Sequence, residues 1–212
     1  LQYKAGGSIL ASLLPDVFTV ESGTFFSFLI FMLVAVIGGM GSVSLTNVLN
    51  LILIYVGVVL AAVLVLQGHG GWTAIKTLTA AQPDVPYLSL TAGMGWIGII
   101  SWIIVMLGNT NSVQGVVQIG LTGKDDKAAR NGFIFGALLM VPVGFICAIL
   151  GVAGRALLPD ASASMALPMI LMSVPPILGG ITLSGLWAAD MGTGCSMIIG
   201  LSTTVSTDIV YK

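Results

Sequence analysis

Between Glu21 and Lys76 the chain carries no Lys, Arg, Asp or Glu, and Leu, Val, Ile, Phe, Ala and Gly fill most of that stretch. About 20 apolar residues in a helix cross the hydrocarbon core of a bilayer, so this run alone holds two crossings and offers nothing with which to face water. The rest of the chain agrees: 57% of its 212 residues are hydrophobic and 7% charged, where soluble proteins carry about 25% charged residues. A bilayer is therefore the solvent that this composition fits. The 28 glycines and 8 prolines do not argue against helices, because membrane helices tolerate both where neighbours satisfy the backbone. Such hydrophobicity excludes disorder. A net charge of −1 leaves no basic footprint for nucleic acid. Cys147 and Cys195 lie inside apolar stretches, where thiols serve as packing residues more often than as a disulfide or metal pair.

Six segments follow from the hydropathy pattern: residues 1–14, stopped by Pro15 and Asp16, then 24–39, 44–66, 93–121, 132–158 and 176–204. The first is incomplete, the chain opens on Leu1 without a signal peptide, and the whole 1–212 reads as one transmembrane domain fragment of a longer protein. Lys and Arg accumulate on the cytoplasmic side of membrane proteins. The loop 122–131 holds Lys124, Lys127 and Arg130 and is expected to be cytoplasmic, which puts Asp16, Glu21, Asp84 and Asp160 outside. Residues 67–92, with His69, Trp72, Pro83, Pro86 and Tyr87, resemble an external loop bearing a short amphipathic helix.

Polar side chains at bilayer depth are costly and mark functional sites by default. In the fourth segment Gly108, Asn109, Thr110, Asn111, Ser112, Gln114 and Gln118 interrupt an apolar span. Asn111, Gln114 and Gln118 share a helical face. Asn109, Asn111, Gln114 and Gln118 are the candidate solute-binding residues, beside a glycine-weakened turn of the kind that frees backbone groups for ligands. Hydrogen bonding between helices is the alternative reading. In the sixth segment Asp190 sits near mid-span, where an ionised carboxyl costs roughly 2.5 to 3.5 kcal/mol and should face a cavity, a cation or a proton path. A protonated carboxyl bonded inside the bundle is its alternative. Asp190 and Thr193 at i and i+3 can address one cation together. At Gly38-Gly39-Met40-Gly41-Ser42-Val43-Ser44-Leu45-Thr46-Asn47 the pattern predicts a tight turn into a helix capped by Ser44 or Thr46. Gly132-xxx-Gly136 is a close-packing signal of low specificity.

Residues 38–50, with Thr46-Asn47 and a second amide at Asn50, resemble the fifth core helix of the sodium:solute symporters, the family of the sodium/glucose and sodium/proline carriers. The small-residue run around Met191-Gly192-Thr193 and the ending Asp208-Ile209-Val210-Tyr211-Lys212 resemble its eighth. Gly123 to Arg130 resemble the basic inner loop between them, and Leu167-Pro168 with Pro175-Pro176 the outer approach to the eighth helix. The resemblance spans the chain. It implies an all-α transmembrane fold of the inverted five-helix-repeat, leucine-transporter type, of which this chain would hold core helices three to eight, a partial core of about six helices. It further implies sodium ligands at the carbonyl of Ala189 and the side-chain positions Gly192 and Thr193. Four residues depart from the family pattern: Gly192 stands where a hydroxyl is usual, Asp190 where an apolar residue is expected, and Asn47 and Asn50 replace an aspartate and a glutamine. Coupling through Asp190 to protons and a sodium site rebuilt around Asp190 both stay open.

The function so implied is that of an ion-coupled secondary transporter moving a small organic solute by alternating access, multi-pass in the cell membrane. Sodium or a proton would be the coupling ion, and no other cofactor is called for. Its partners would be the solute, the bilayer and further helices of the same protein, with no nucleic acid. A symporter-like sensor or structural domain of a larger signalling protein is the competing reading. An enzyme is disfavoured, because the spans hold one acid and no HExxH or Ser/His couple.

Overall fold

The computed structural model describes residues 2–81, 87–89, 91–121 and 123–210, and their side chains except at 39–46, 111–112, 114–115 and 118–119. Among the described residues the regular structure is entirely helical. Helix α1, Gln2–Leu13, ends ahead of Pro15, and Thr19 then opens α2, Val20–Gly68, with a reciprocal capping box to Ser22. Gly70 and Gly71, both at φ 80°, turn the chain into the short α3, Gly71–Ala80. The fourth predicted span is two helices, α4 (Gly95–Ser112) and α5 (Gln114–Leu121). Helix α6, Asp126–Leu157, starts earlier than the predicted 132 because Asp125 accepts from the Ala128 N–H at 2.6 Å and caps it. A short helix α7, Ala166–Met172, precedes α8, Pro176–Val205, which Pro175 and Pro176 start and a π-helical turn, Ser206–Val210, extends.

Among the described residues, three stretches are long and apolar enough to cross a membrane, Val20–Gly38, Asn47–Gly68 and Asp126–Leu157, and Gly95–Thr110 is a shorter apolar helix. Ile97, Ile104, Leu107, Phe135 and Met140 on α4 and α6 are exposed. Apolar faces of that extent belong in lipid or against other helices.

Helical backbone is continuous in hydrogen-bond pattern from Val20 to Gly68, which corrects the N-cap expected at Ser44 or Thr46 but not the change of direction expected in that glycine-rich stretch. Even so, the two halves of α2 run opposite ways along α8. Trp187 of α8 donates to Ser27, and Cys195 donates to the Phe31 carbonyl, so the first half runs parallel to α8. Gly57 abuts Thr182, Leu53 and Ile54 abut Gly185, and Asn47 abuts Gly192, so the second half runs antiparallel. In a straight helix Ser27 and Ile54 would be about 40 Å apart. Here both touch α8 within residues 185–187. The chain must therefore change direction between Ala35 and Asn47, a stretch whose sequence is rich in glycine and serine, residues at which helices bend.

Helix α8 is thus the axis of the fold, wrapped by α1 and both halves of α2. One core gathers Val58, Ala61, Val65, Ile75, Leu150, Ile170, Leu171 and Leu183 from five helices. A second joins Phe31, Ala35 and Cys195, with Tyr3 and Trp187 against Phe31 at ring separations of 5.7 and 5.6 Å. The buried Cys195 is a packing residue in this cluster. Tyr55 of α2 donates to the Leu139 carbonyl and ties α6 to the bundle.

Candidate functional site

The break between α4 and α5 falls at Val113, whose backbone is extended (φ −77°, ψ 113°) while its N–H still bonds to the Asn109 carbonyl at 3.0 Å. A β-branched residue following Asn and Ser, residue types of low helix propensity, is a weak point for helix propagation. The expected discontinuity is therefore present, displaced from Gly108 to Val113.

That break opens onto α8. Val113 and Val116 line a cavity of about 140 Å³ together with Asn47 of α2 and Gly192, Thr193, Ser196 and Met197 of α8. Thr193 Oγ1 donates to the Ala189 carbonyl at 3.2 Å, and Ser196 Oγ to the Gly192 carbonyl at 2.9 Å. Gly192 is buried, and the space a side chain would need there is taken by the Asn47 carboxamide. Three residues on, Asn50 is 6% exposed, does not line the cavity, and its Nδ2 has no hydrogen-bond partner among the described residues.

The residues singled out in the sequence divide accordingly. Gly192 and Thr193 line the cavity, and Ala189 meets it through the Thr193 hydroxyl. Asp190 is half-buried on the neighbouring flank of α8 and is not part of the cavity wall. Asn109 is exposed on the last turn of α4. The side chains of Asn111, Gln114 and Gln118 lie outside the described residues. Ser196, Met197, Val113 and Val116 were not singled out as site residues, and Asn47 was read only as a departure from a pattern. No local signal marks them, since they meet across helices far apart in sequence.

Helical throughout its described residues, with apolar helices long enough to cross a bilayer, the chain is an integral membrane protein. The chain belongs to the sodium:solute symporter family, whose model matches residues 4–212. It is 26% identical over 178 residues to a sodium/pantothenate symporter of Haemophilus influenzae, covering 82% of this chain and 37% of that protein. It is also 26% identical over 185 residues to a sodium/proline symporter of Staphylococcus aureus, covering 82% and 35%. The chain thus spans little more than a third of the length of these curated relatives. No solved structure matches it at a significant level.

Proposed function

We propose that this chain is the middle part of a sodium-coupled symporter that moves a small neutral or monoanionic organic solute across the cell membrane by alternating access. The observation that carries the reading is the shared cavity: the Val113 break and Thr193 line one space, and broken helices beside an ion site are how such carriers bind. Ala189, Gly192 and Thr193 are the proposed sodium-side positions, with Asp190 one turn away as the coupling carboxyl. Asn109, Asn111, Gln114 and Gln118, on either side of the break, are the proposed solute-side amides. The inverted five-helix repeat is the proposed frame, completed by helices of the same protein beyond this chain, and the loop 122–131 is proposed to be cytoplasmic. Symport names in two relatives favour a carrier over an enzyme or a sensor.

The test is uptake of labelled proline and pantothenate, with a wider panel of small organic acids, by vesicles holding the full-length protein. An inward sodium gradient is expected to drive accumulation of at least one of them. Uptake of the whole panel at the rate of empty vesicles, with and without sodium, would sink the proposal.

A further inference from the structure

We propose that Trp72 and Lys76 form a headgroup site for an anionic phospholipid, where α3 lies against the end of the Asn47–Gly68 span. Depth decides what such a helix can meet. The span holds 22 residues, which at 1.5 Å each make about 33 Å, close to the thickness of the hydrocarbon core. Gly68 therefore stands at the boundary of that core. The chain does not leave the bundle there: His69 Nδ1 lies 2.9 Å from the Val65 carbonyl, and Gly70 and Gly71, both at φ 80°, turn the backbone into α3. Ile75 of α3 is fully buried in one cluster with Val65, Leu150 and Ala153. Val65 is one turn short of Gly68, so α3 is pinned beside the last turn of the span, in the layer where lipid phosphates lie.

The flank that α3 leaves open carries the chemistry of such a headgroup. Ile75 and Thr79 face the bundle, and the Thr79 hydroxyl gives its proton to the Ile75 carbonyl at 2.8 Å. Trp72 and Lys76, at i and i+4, share the neighbouring flank. Trp72 is 41% exposed and Lys76 is exposed, and neither side chain has a hydrogen-bond or ion-pair partner among the described residues. Lys76 is also the only formal charge between Glu21 and Asp84, and α3 holds no acid to answer it. An indole N–H and an ammonium with three donors fit a phosphodiester, which carries one negative charge and only accepts. Trp rings rest at headgroup level, and a lysine stem lies along apolar surface while its ammonium reaches the phosphate. In phosphatidylcholine the lipid's own choline cation already answers the phosphate. Phosphatidylglycerol brings no cation of its own, so Lys76 selects the anionic lipid.

The full-length protein in mild detergent is titrated with phosphatidylglycerol, phosphatidylcholine or inorganic phosphate, and its melting temperature is followed. Wild type is expected to be stabilised at lower concentrations of phosphatidylglycerol than of phosphatidylcholine, and not by phosphate. Lys76→Gln should raise the half-saturating phosphatidylglycerol about fivefold, the share of one lysine beside an anionic surface, and leave the response to phosphatidylcholine unchanged. Lys76→Arg keeps the charge and should keep the preference. Trp72→Leu, which keeps an apolar side chain and removes the N–H, should weaken it. Equal stabilisation of wild type by the two lipids would overturn the proposal, as would a preference undiminished in both Lys76→Gln and Trp72→Leu. Stabilisation by phosphate as strong as by phosphatidylglycerol would make this a site for a soluble anion and would overturn it too. A second measurement asks what covers α3 in the whole protein. In vesicles, Lys76→Cys should react with an impermeant maleimide from one side of the membrane, more slowly when phosphatidylglycerol is present. No reaction from either side would mean that another segment of the protein covers this flank, and the proposal would fall.

Discussion

Asp190 is the residue whose role is most exposed to test. It is the only formal charge in α8 between Pro176 and Val205, and an ionised carboxyl at mid-span costs roughly 2.5 to 3.5 kcal/mol unless something answers it. A carboxyl beside a cation is held ionised, whereas one buried alone is driven neutral, so sodium and proton coupling assign it opposite charges at neutral pH. If it takes part in sodium coupling, Asp190→Asn should abolish sodium-stimulated uptake, and Thr193→Ala should raise the sodium requirement. If it carries protons, Asp190→Asn should erase the pH dependence of uptake, with sodium without effect in either protein. Transport by the variant that matches wild type under both gradients would leave Asp190 a structural hydrogen-bond donor. Thr193 and Asp190 were legible in the sequence because polar groups in an apolar run stand out one at a time. Ser196 and Asn47 were not, because a serine bonded to its own helix and an amide near a glycine turn look ordinary until another helix is laid against them.

At the level of helices, the contact most informative about packing is the Trp187 indole N–H donating to Ser27 Oγ at 3.0 Å, beside Gly6 of α1, where a Cβ would meet both side chains. Three helices meet at this point with no room for a larger residue on α1. Ser27→Ala removes the acceptor, and by the measured range for bonds between membrane helices it should cost about 0.6 to 1.7 kcal/mol, read as a lower unfolding midpoint in mild detergent. Gly6→Val, which must force α1 away, should lower the midpoint further; equal midpoints for wild type and Gly6→Val would contradict the packing described. The existence of α1, α6 and α8 was readable from apolar length, with Pro15 and Pro175-Pro176 at the ends of α1 and α8, whereas the early start of α6 at its Asp125 cap was not. The course of α2 was harder, because glycines such as Gly38 and Gly39 mark a bend equally well whether the helix stops there or continues through it. A glycine-weakened turn was expected inside a single span 93–121, whereas the helix breaks at Val113: Gly108 weakens a helix by backbone entropy, but a β-branched residue after Asn and Ser weakens it too and carries no equally plain mark.

Across the whole molecule, orientation is the open quantity that one experiment decides. The bias of Lys124, Lys127 and Arg130 predicts that a cysteine placed near Lys127 reacts with a membrane-impermeant maleimide only from the cytoplasmic side, and one placed near Asp84 only from outside. The reverse labelling would invert the topology.

The doubling back of α2 around α8 also orders events in time. A chain leaves the ribosome from its N-terminus, so Ser27, Phe31 and Asn47 enter the membrane well before Trp187, Gly192 and Cys195, which they meet in the finished fold. Contacts so distant along the chain are slow to form, because the intervening loop must first be closed. For most of synthesis the two arms of α2 therefore have no axis to wrap. The arrival of α8 completes the bundle and the cavity in one step: that cavity is the last thing this segment makes, and a nascent chain that stalls before Pro176 has neither.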